Sequence, residues 1–192
     1  KRAEAAGLDI LGIHWVLVGP EGLHINHPDG AVRDRTARYL VDLVHFCGDV
    51  GGKVMIFGSP KQRNVLDGVP YQQAFDYTVE VFERVLPACA ECGVTICMEP
   101  LASSETNFCK SAAETVALIE RIDHLNFRLL LDTKAMTEEP EGRPATIRKY
   151  ARYLAHYHAN DANLEGPVEV FKFDPGPETI AARSLQYMKR FV

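Results

Sequence analysis

Four strand-like apolar runs in this 192-residue chain each carry a side chain of a type that holds divalent cations. Glu99 closes Val94-Thr-Ile-Cys-Met98, Asp132 closes Leu129-Leu-Leu131, His158 follows Leu154-Ala-His-Tyr157, and Glu169 lies inside Val168-Glu-Val-Phe171. A carboxylate at the end of an apolar strand loses hydration that only a compensating partner replaces, and a cation is such a partner. Three carboxylates and one imidazole make a hard, oxygen-rich set suited to one divalent ion such as Mn, Mg, Co or Zn. Taken singly, each acid has a plainer explanation as a helix cap or the partner of an arginine. The three acids and the histidine together, on four successive strands, point to a metal site, and so to an enzyme.

Other residues stand where they could face the same place. His14-Trp15 ends the first apolar run and offers a stacking and hydrogen-bonding wall for a polyol; the plainer alternative is a pair lining the core. His156 is two residues before His158 and therefore on the same strand face, which makes it an orienting or lining group rather than a fifth ligand. Asp161 could orient His158, touch a substrate, or stabilise the turn between Asn160 and Asn163. The loop Gly58-Ser-Pro-Lys-Gln-Arg63 carries a hydroxyl and two cations that could meet an anion, without the glycine-rich cradle of a phosphate loop. Cys89 and Cys92 form a lone C-x-x-C, which reads as two small apolar residues at a helix end because no second pair exists.

The elements that must hold these residues alternate along the chain. Residues 1–7 read as the end of a helix and 8–17 as a strand. A helix with the stripe Leu40, Leu43, Val44 and Cys47 follows and stops at Gly51-Gly52. A short strand at 53–57, a helix over about 72–92 ending at Gly93, and the strand to Glu99 come next. Ser111 and Glu114 form a capping box for a helix with Leu118, Ile119 and Ile122 on one face. The strand to Asp132, a polar loop around 138–142, a short helix and the strand to His158 complete the alternation. Nearly continuous apolar strands between amphipathic helices predict a parallel sheet covered by helices.

The last gap is anomalous. Six residues separate Asp161 from Val168, whereas a parallel crossover takes about a dozen or more. A complete (β/α)8 barrel takes about 250 residues. Residues 1–192 are therefore read as one partial TIM (β/α)8 barrel domain, without its first two βα units and without the connection near Pro167.

Bulk properties narrow the function. The chain has 21 basic and 26 acidic residues, net −5, with no long basic stretch; this argues against nucleic acid and membrane surfaces as partners. No apolar run approaches the roughly 20 residues of a membrane span, and no signal-peptide pattern opens the chain. Five cysteines, an odd number set in apolar stretches, are expected to be reduced, in keeping with a cytoplasmic protein.

With these residues in view, the chain resembles the sugar phosphate isomerase/epimerase family, whose fold is the xylose isomerase-like TIM barrel. The matching stretches are Gly12-Ile-His-Trp15, Val54-Met-Ile-Phe-Gly-Ser-Pro60, Cys97-Met-Glu-Pro-Leu101, Leu131-Asp-Thr-Lys-Ala-Met136, His156-Tyr-His-Ala-Asn-Asp161 and Val168-Glu-Val-Phe171. The resemblance implies one divalent metal ion on Glu99, Asp132, His158 and Glu169. It further implies that Glu99 and Glu169 are an acid/base pair on opposite faces of a small carbohydrate, working through an enediolate. Glu105 falls where relatives place a substrate-contacting glutamate. Homo-oligomers formed through helices on the barrel's side are also implied.

Two positions depart from the family pattern. Ala135 stands where relatives place a substrate-binding histidine, and Leu164 where many have an arginine. Lys134 offers a compensating cation to an acidic or phosphorylated substrate, unless it is simply an exposed loop lysine. The expected activity is therefore isomerisation or epimerisation of a small sugar, sugar phosphate or keto-polyol. Alternatives on the same site are a metal-dependent dehydratase of a keto-polyol and a non-catalytic sugar-binding barrel. Phosphodiesterase chemistry like that of apurinic-site endonucleases would call for many more histidines and a DNA-binding charge footprint.

Overall fold

The computed structural model describes residues 1–159 together with Thr179, Ala182 and Gln186. Within them the apolar runs and helical stripes resolve into helix α1 (Arg2–Ala5), strand β1 (Gly12–Ile13), α2 (Gly30–Asp49), β2 (Val54–Phe57), α3 (Tyr71–Cys92), β3 (Thr95–Met98), α4 (Ala112–Ile122), β4 (Phe127–Asp132), α5 (Arg143–Tyr150) and β5 (Leu154–His158). Short 3-10 turns cover Ala135–Glu138 and Ala151–Tyr153. Neighbours in the sheet follow chain order, β1-β2-β3-β4-β5, and every pair is parallel. Sequential parallel strands, each joined to the next by a helix, form one flank of an α/β barrel.

Local chemistry sets the helix ends. The Asp29 side chain accepts the Ala31 N–H at 2.8 Å and opens α2. Gly93, at φ 64°, ends α3 in the left-handed region, where the lack of a Cβ removes the steric cost. Ser111 Oγ accepts the Glu114 N–H at 3.2 Å and opens α4. The return half of the expected capping box is displaced by one residue: Glu114 Oε2 accepts the Lys110 N–H at 3.1 Å and the Tyr71 hydroxyl at 3.0 Å.

The two faces of the sheet have different fates. Met55, Phe57, Ile96, Met98, Phe127, Leu129 and Leu131 point to the helices and join Leu40, Val44, Phe82, Val85 and Leu118 in the main core. Ile56, Cys97 and Leu130 form a small cluster on the opposite, inner face. Because side chains alternate with period two, the next inner positions are Gly58, Glu99 and Asp132. A register shift between Leu129 and Leu130 then sets His156 opposite Leu130 and His158 opposite Asp132. The extra residue on β5 thus brings an imidazole level with a carboxylate.

One expected strand is much shorter than its apolar run. Of residues 8–17 only Gly12–Ile13 pair, while Leu8, Ile10 and Leu11 are 65%, 39% and 63% exposed. Among the described residues β1 has a ladder partner on one side only, and Trp15, at φ 57°, ends the extended path. Hydrophobicity alone cannot distinguish a paired strand from an apolar segment without a second neighbour. Val168-Glu-Val-Phe171 and the gap before it lie outside the described residues, as do Asp161, Leu164 and Glu169. No helix of the described residues is long and apolar enough to cross a membrane. All five cysteines are free; Cys89 is buried in α3, and Cys92 Sγ lies 3.3 Å from His45 Nδ1.

Candidate active site

The inner-face layer above Ile56, Cys97 and Leu130 contains Gly58, Glu99 and Asp132, with His158 opposite Asp132. Glu99 and Asp132 are 5% and 4% exposed. His158 Nδ1 lies 3.5 Å from Glu99 Oε1 and 3.7 Å from Asp132 Oδ2. Three of the four expected ligands thus meet. Asp132 Oδ1 is held by the Lys134 and Ala135 N–H groups at 2.7 and 3.0 Å, which directs Oδ2 toward His158. Thr133 donates its N–H and its hydroxyl to the His158 carbonyl at 3.1 and 2.9 Å, tying the ends of β4 and β5 together.

His14 joins this group. Its ring lies 5.4 Å from that of His158, at 81°. One ligand atom each from His14, Glu99 and His158 lies within 4.8 Å of the others. Donors bound at about 2.0–2.3 Å to a common ion stand at most about 4.6 Å apart, so these residues fit a divalent cation with shifts of a few tenths of an ångström. Burial pushes the His14 imidazole from 6.5 down to about 4; His158 and His156 add to the shift, and Asp132 opposes it. A neutral imidazole is the form that ligates metals. His156 stands beside His158, ring centroids 5.1 Å apart at 89°, and burial followed by the His158 charge lowers its pKa.

A cavity of about 340 Å³ opens beside the cluster, and His14, Trp15, Glu99, Glu105, Asp132 and Lys134 line it, as do Gly58, Ser59, Lys61 and Ala135. Trp15 holds a large side chain at φ 57°, a backbone conformation that costs a bulky residue about 1–3 kcal/mol. Its indole is half exposed on the wall. Glu105 and Lys134 face each other across the cavity rim, Nζ to Oε1 3.5 Å.

The loop carrying Glu105 is clamped on both sides. Thr106 Oγ1 and the Asn107 N–H donate to Asn64 Oδ1 at 2.7 and 3.2 Å, and Asn107 exchanges two hydrogen bonds with the Val65 backbone. On the other side, Glu138 accepts from the Ser103 N–H and Glu139 from the Ala112 N–H.

Arg63 differs most from the sequence expectation. It is fully buried rather than exposed as a loop cation, and Nη1 donates to the Glu99 carbonyl at 2.6 Å. Among the described residues Nε and Nη2 have no hydrogen-bond partner, and burial lowers the guanidinium's pKa, opposed by the charges around it. Ser59 Oγ is occupied as well, accepting the Leu17 N–H at 3.1 Å. The 58–63 loop is therefore a support for Glu99 more than an anion cradle. Nothing in the residue types marks Arg63 as internal. Gly58, whose lack of a side chain leaves room for the Glu99 carboxylate, was legible only as a loop glycine.

An α/β-barrel flank with imidazoles and buried carboxylates gathered at the carboxyl ends of its strands defines a broad class. Within it, this chain belongs to the xylose isomerase-like TIM barrel family, whose profile matches residues 1–189. It is 26% identical over 152 residues to the D-psicose 3-epimerase of Ruminiclostridium cellulolyticum, a match covering 75% of this chain and 50% of the relative. It is 29% identical over 100 residues to the D-psicose 3-epimerase of Agrobacterium fabrum, covering 51% of this chain and 35% of that enzyme. The chain thus spans half or less of the length of these curated relatives. Among solved structures, an L-ribulose 3-epimerase superposes with TM-score 0.75 at 22% identity, over 98% of this chain and 61% of the other. A 3-keto-D-glucoside 4-epimerase from E. coli gives 0.72 at 15%, over 94% and 70%. At these identities the structural likeness establishes the fold.

Proposed function

We propose that this chain carries the catalytic face of a divalent-metal-dependent epimerase acting on a small keto sugar or keto-polyol. The observation that carries the reading is the meeting of Glu99, Asp132 and His158 Nδ1 beside one cavity, whose wall Glu99 and Asp132 share. The 3-epimerase names of the relatives support epimerisation next to a carbonyl over other outcomes. Glu99, Asp132 and His158 would hold the cation together with Glu169. When bound, it supplies charge stabilisation to oxygen atoms of the substrate as negative charge develops there.

The chain's own residues do the remaining work. Glu99 Oε1 faces His158, whereas Oε2 lies over Gly58. One oxygen can therefore serve the cation while the other takes the proton from the carbon beside the carbonyl. Glu169, which the family resemblance makes the second member of the acid/base pair, would return a proton to give the epimer. Trp15 stacks on the sugar's apolar face, and Glu105 and Lys134 present an acceptor and a donor to its hydroxyls.

Two measurements test this. Purified protein is assayed for bound metal, then incubated in D2O with Mn²⁺ and a panel containing D-psicose, D-tagatose, D-fructose and L-ribulose. The expected result is one metal per chain and deuterium entering the carbon next to the carbonyl, with both lost in Glu99→Gln. Absence of exchange across the panel together with absence of metal would overturn the proposal.

A further inference from the structure

The residue types promised an oxygen-rich cation site with one imidazole, but the folded chain brings a second. We propose that His14 is itself a ligand of the cation, and that the two imidazoles tune the site toward Co²⁺ or Zn²⁺ and away from Mg²⁺. This deepens, and rests on, the cation site of the previous section.

His14 follows β1, at the opposite end of the described sheet from β5, yet its ring lies 5.4 Å from that of His158 and nearly perpendicular to it. Among the described residues, His14, Glu99 and His158 are the group whose ligand atoms all approach within 4.8 Å of one another. Asp132 borders this group: Oδ2 lies 3.7 Å from His158 Nδ1, while Oδ1 is engaged by two backbone N–H groups. Among the described residues the donors are thus two imidazole nitrogens and two carboxylates, Glu99 and Asp132.

Ligand chemistry then sets the preference. Imidazole suits the later first-row ions, whereas carboxylate and water suit Mg²⁺ and Mn²⁺. Magnesium also demands nearly octahedral oxygen coordination and gives up water reluctantly. Adding one imidazole to a carboxylate-rich set therefore stabilises Co²⁺ and Zn²⁺ selectively. A histidine serving only as a wall for the sugar would have no influence on a cation bound in the sugar's absence, and that difference makes the two roles separable.

Metal-free protein is titrated with Co²⁺ and separately with Mg²⁺, without any sugar, and followed by calorimetry and by the visible absorption of Co²⁺. Wild type, His14→Ala, the bulkier His14→Gln and Glu99→Gln are compared. Wild type is expected to bind one Co²⁺ more tightly than Mg²⁺. Both His14 variants should lose at least about tenfold in Co²⁺ affinity, the lower end of what removing even an outer partner of a ligand costs. They should also change the Co²⁺ spectrum, leave Mg²⁺ binding nearly unaltered, and recover spectral intensity when free imidazole is added to His14→Ala. His14 variants with the wild-type spectrum and affinity would overturn the ligand role while leaving the cation site standing. A wild type that binds neither ion would remove the cation site itself.

Discussion

Replacing Gly58 by alanine should separate the fold from the chemistry. A methyl group at this position would stand 2.2 Å from Glu99 Oε2 and 3.4 Å from its Cδ. Ordinary carbon–oxygen contacts begin near about 3.3 Å, so the carboxylate oxygen must retreat by roughly 1 Å. Gly58 is not among the residues with positive φ, so alanine meets no backbone penalty there. The atom that must yield is the end of a rotatable side chain, and stability should fall by no more than the low end of the ~1–3 kcal/mol of an overpacked core. Function should not escape so lightly. A displacement of about 1 Å costs about 100-fold, or about 2.7 kcal/mol at 1.36 kcal/mol per tenfold. Calorimetric titration with Mn²⁺, deuterium exchange into the best ketose and a thermal melt give the three readouts. The expected result is a melt close to wild type with exchange reduced about 100-fold and cation affinity lowered. Unchanged affinity and exchange would refute the idea that Glu99 needs the bare backbone. A collapse of the melt would place the strain in the strands instead.

Two further expectations concern the scaffold. Ser111→Ala removes the acceptor for the Glu114 N–H and should destabilise the protein by about 1 kcal/mol, read from the urea midpoint; no change would mean the Glu114–Lys110 contact caps α4 alone. His24 is 8% exposed, and burial lowers its pKa from 6.5 to about 4, with His27 adding to the shift. A depressed histidine pKa contributes stability that is fully present above the unfolded value and is lost as pH falls from about 6.5 toward about 4. The urea midpoint should therefore decline over that window less steeply in His24→Gln than in wild type, and parallel slopes would count against it.

Most of the scaffold was readable because its signals are local. The stripe through Leu40, Val44 and Cys47, the Gly93 stop and the Ser111 cap each act within a turn or two of the chain. The strand-end positions of Glu99, Asp132 and His158 were readable for the same reason: period two carries them onto the face of Cys97 and Leu130. What escaped depends on distant neighbours. The run at 8–17 looks like a strand, but pairing requires a partner that the run does not encode. Arg63 has the composition of a surface residue, and only the approach of the Glu99 carbonyl makes it internal. His14 reads from the sequence either as a wall for a polyol or as a core-lining residue, and its approach to His158 joins opposite ends of the sheet, which no spacing in the chain reveals.

The way Asp132 is anchored leaves the turn beside it open to variation. Its grip comes from the amide hydrogens at positions 134 and 135, which every amino acid except proline supplies. The side chains there are consequently at liberty to vary, while the carboxylate they steady keeps its aim. Lys134 and Ala135 both border the cavity, so single replacements on this one turn would reshape its lining while Asp132 stays in place.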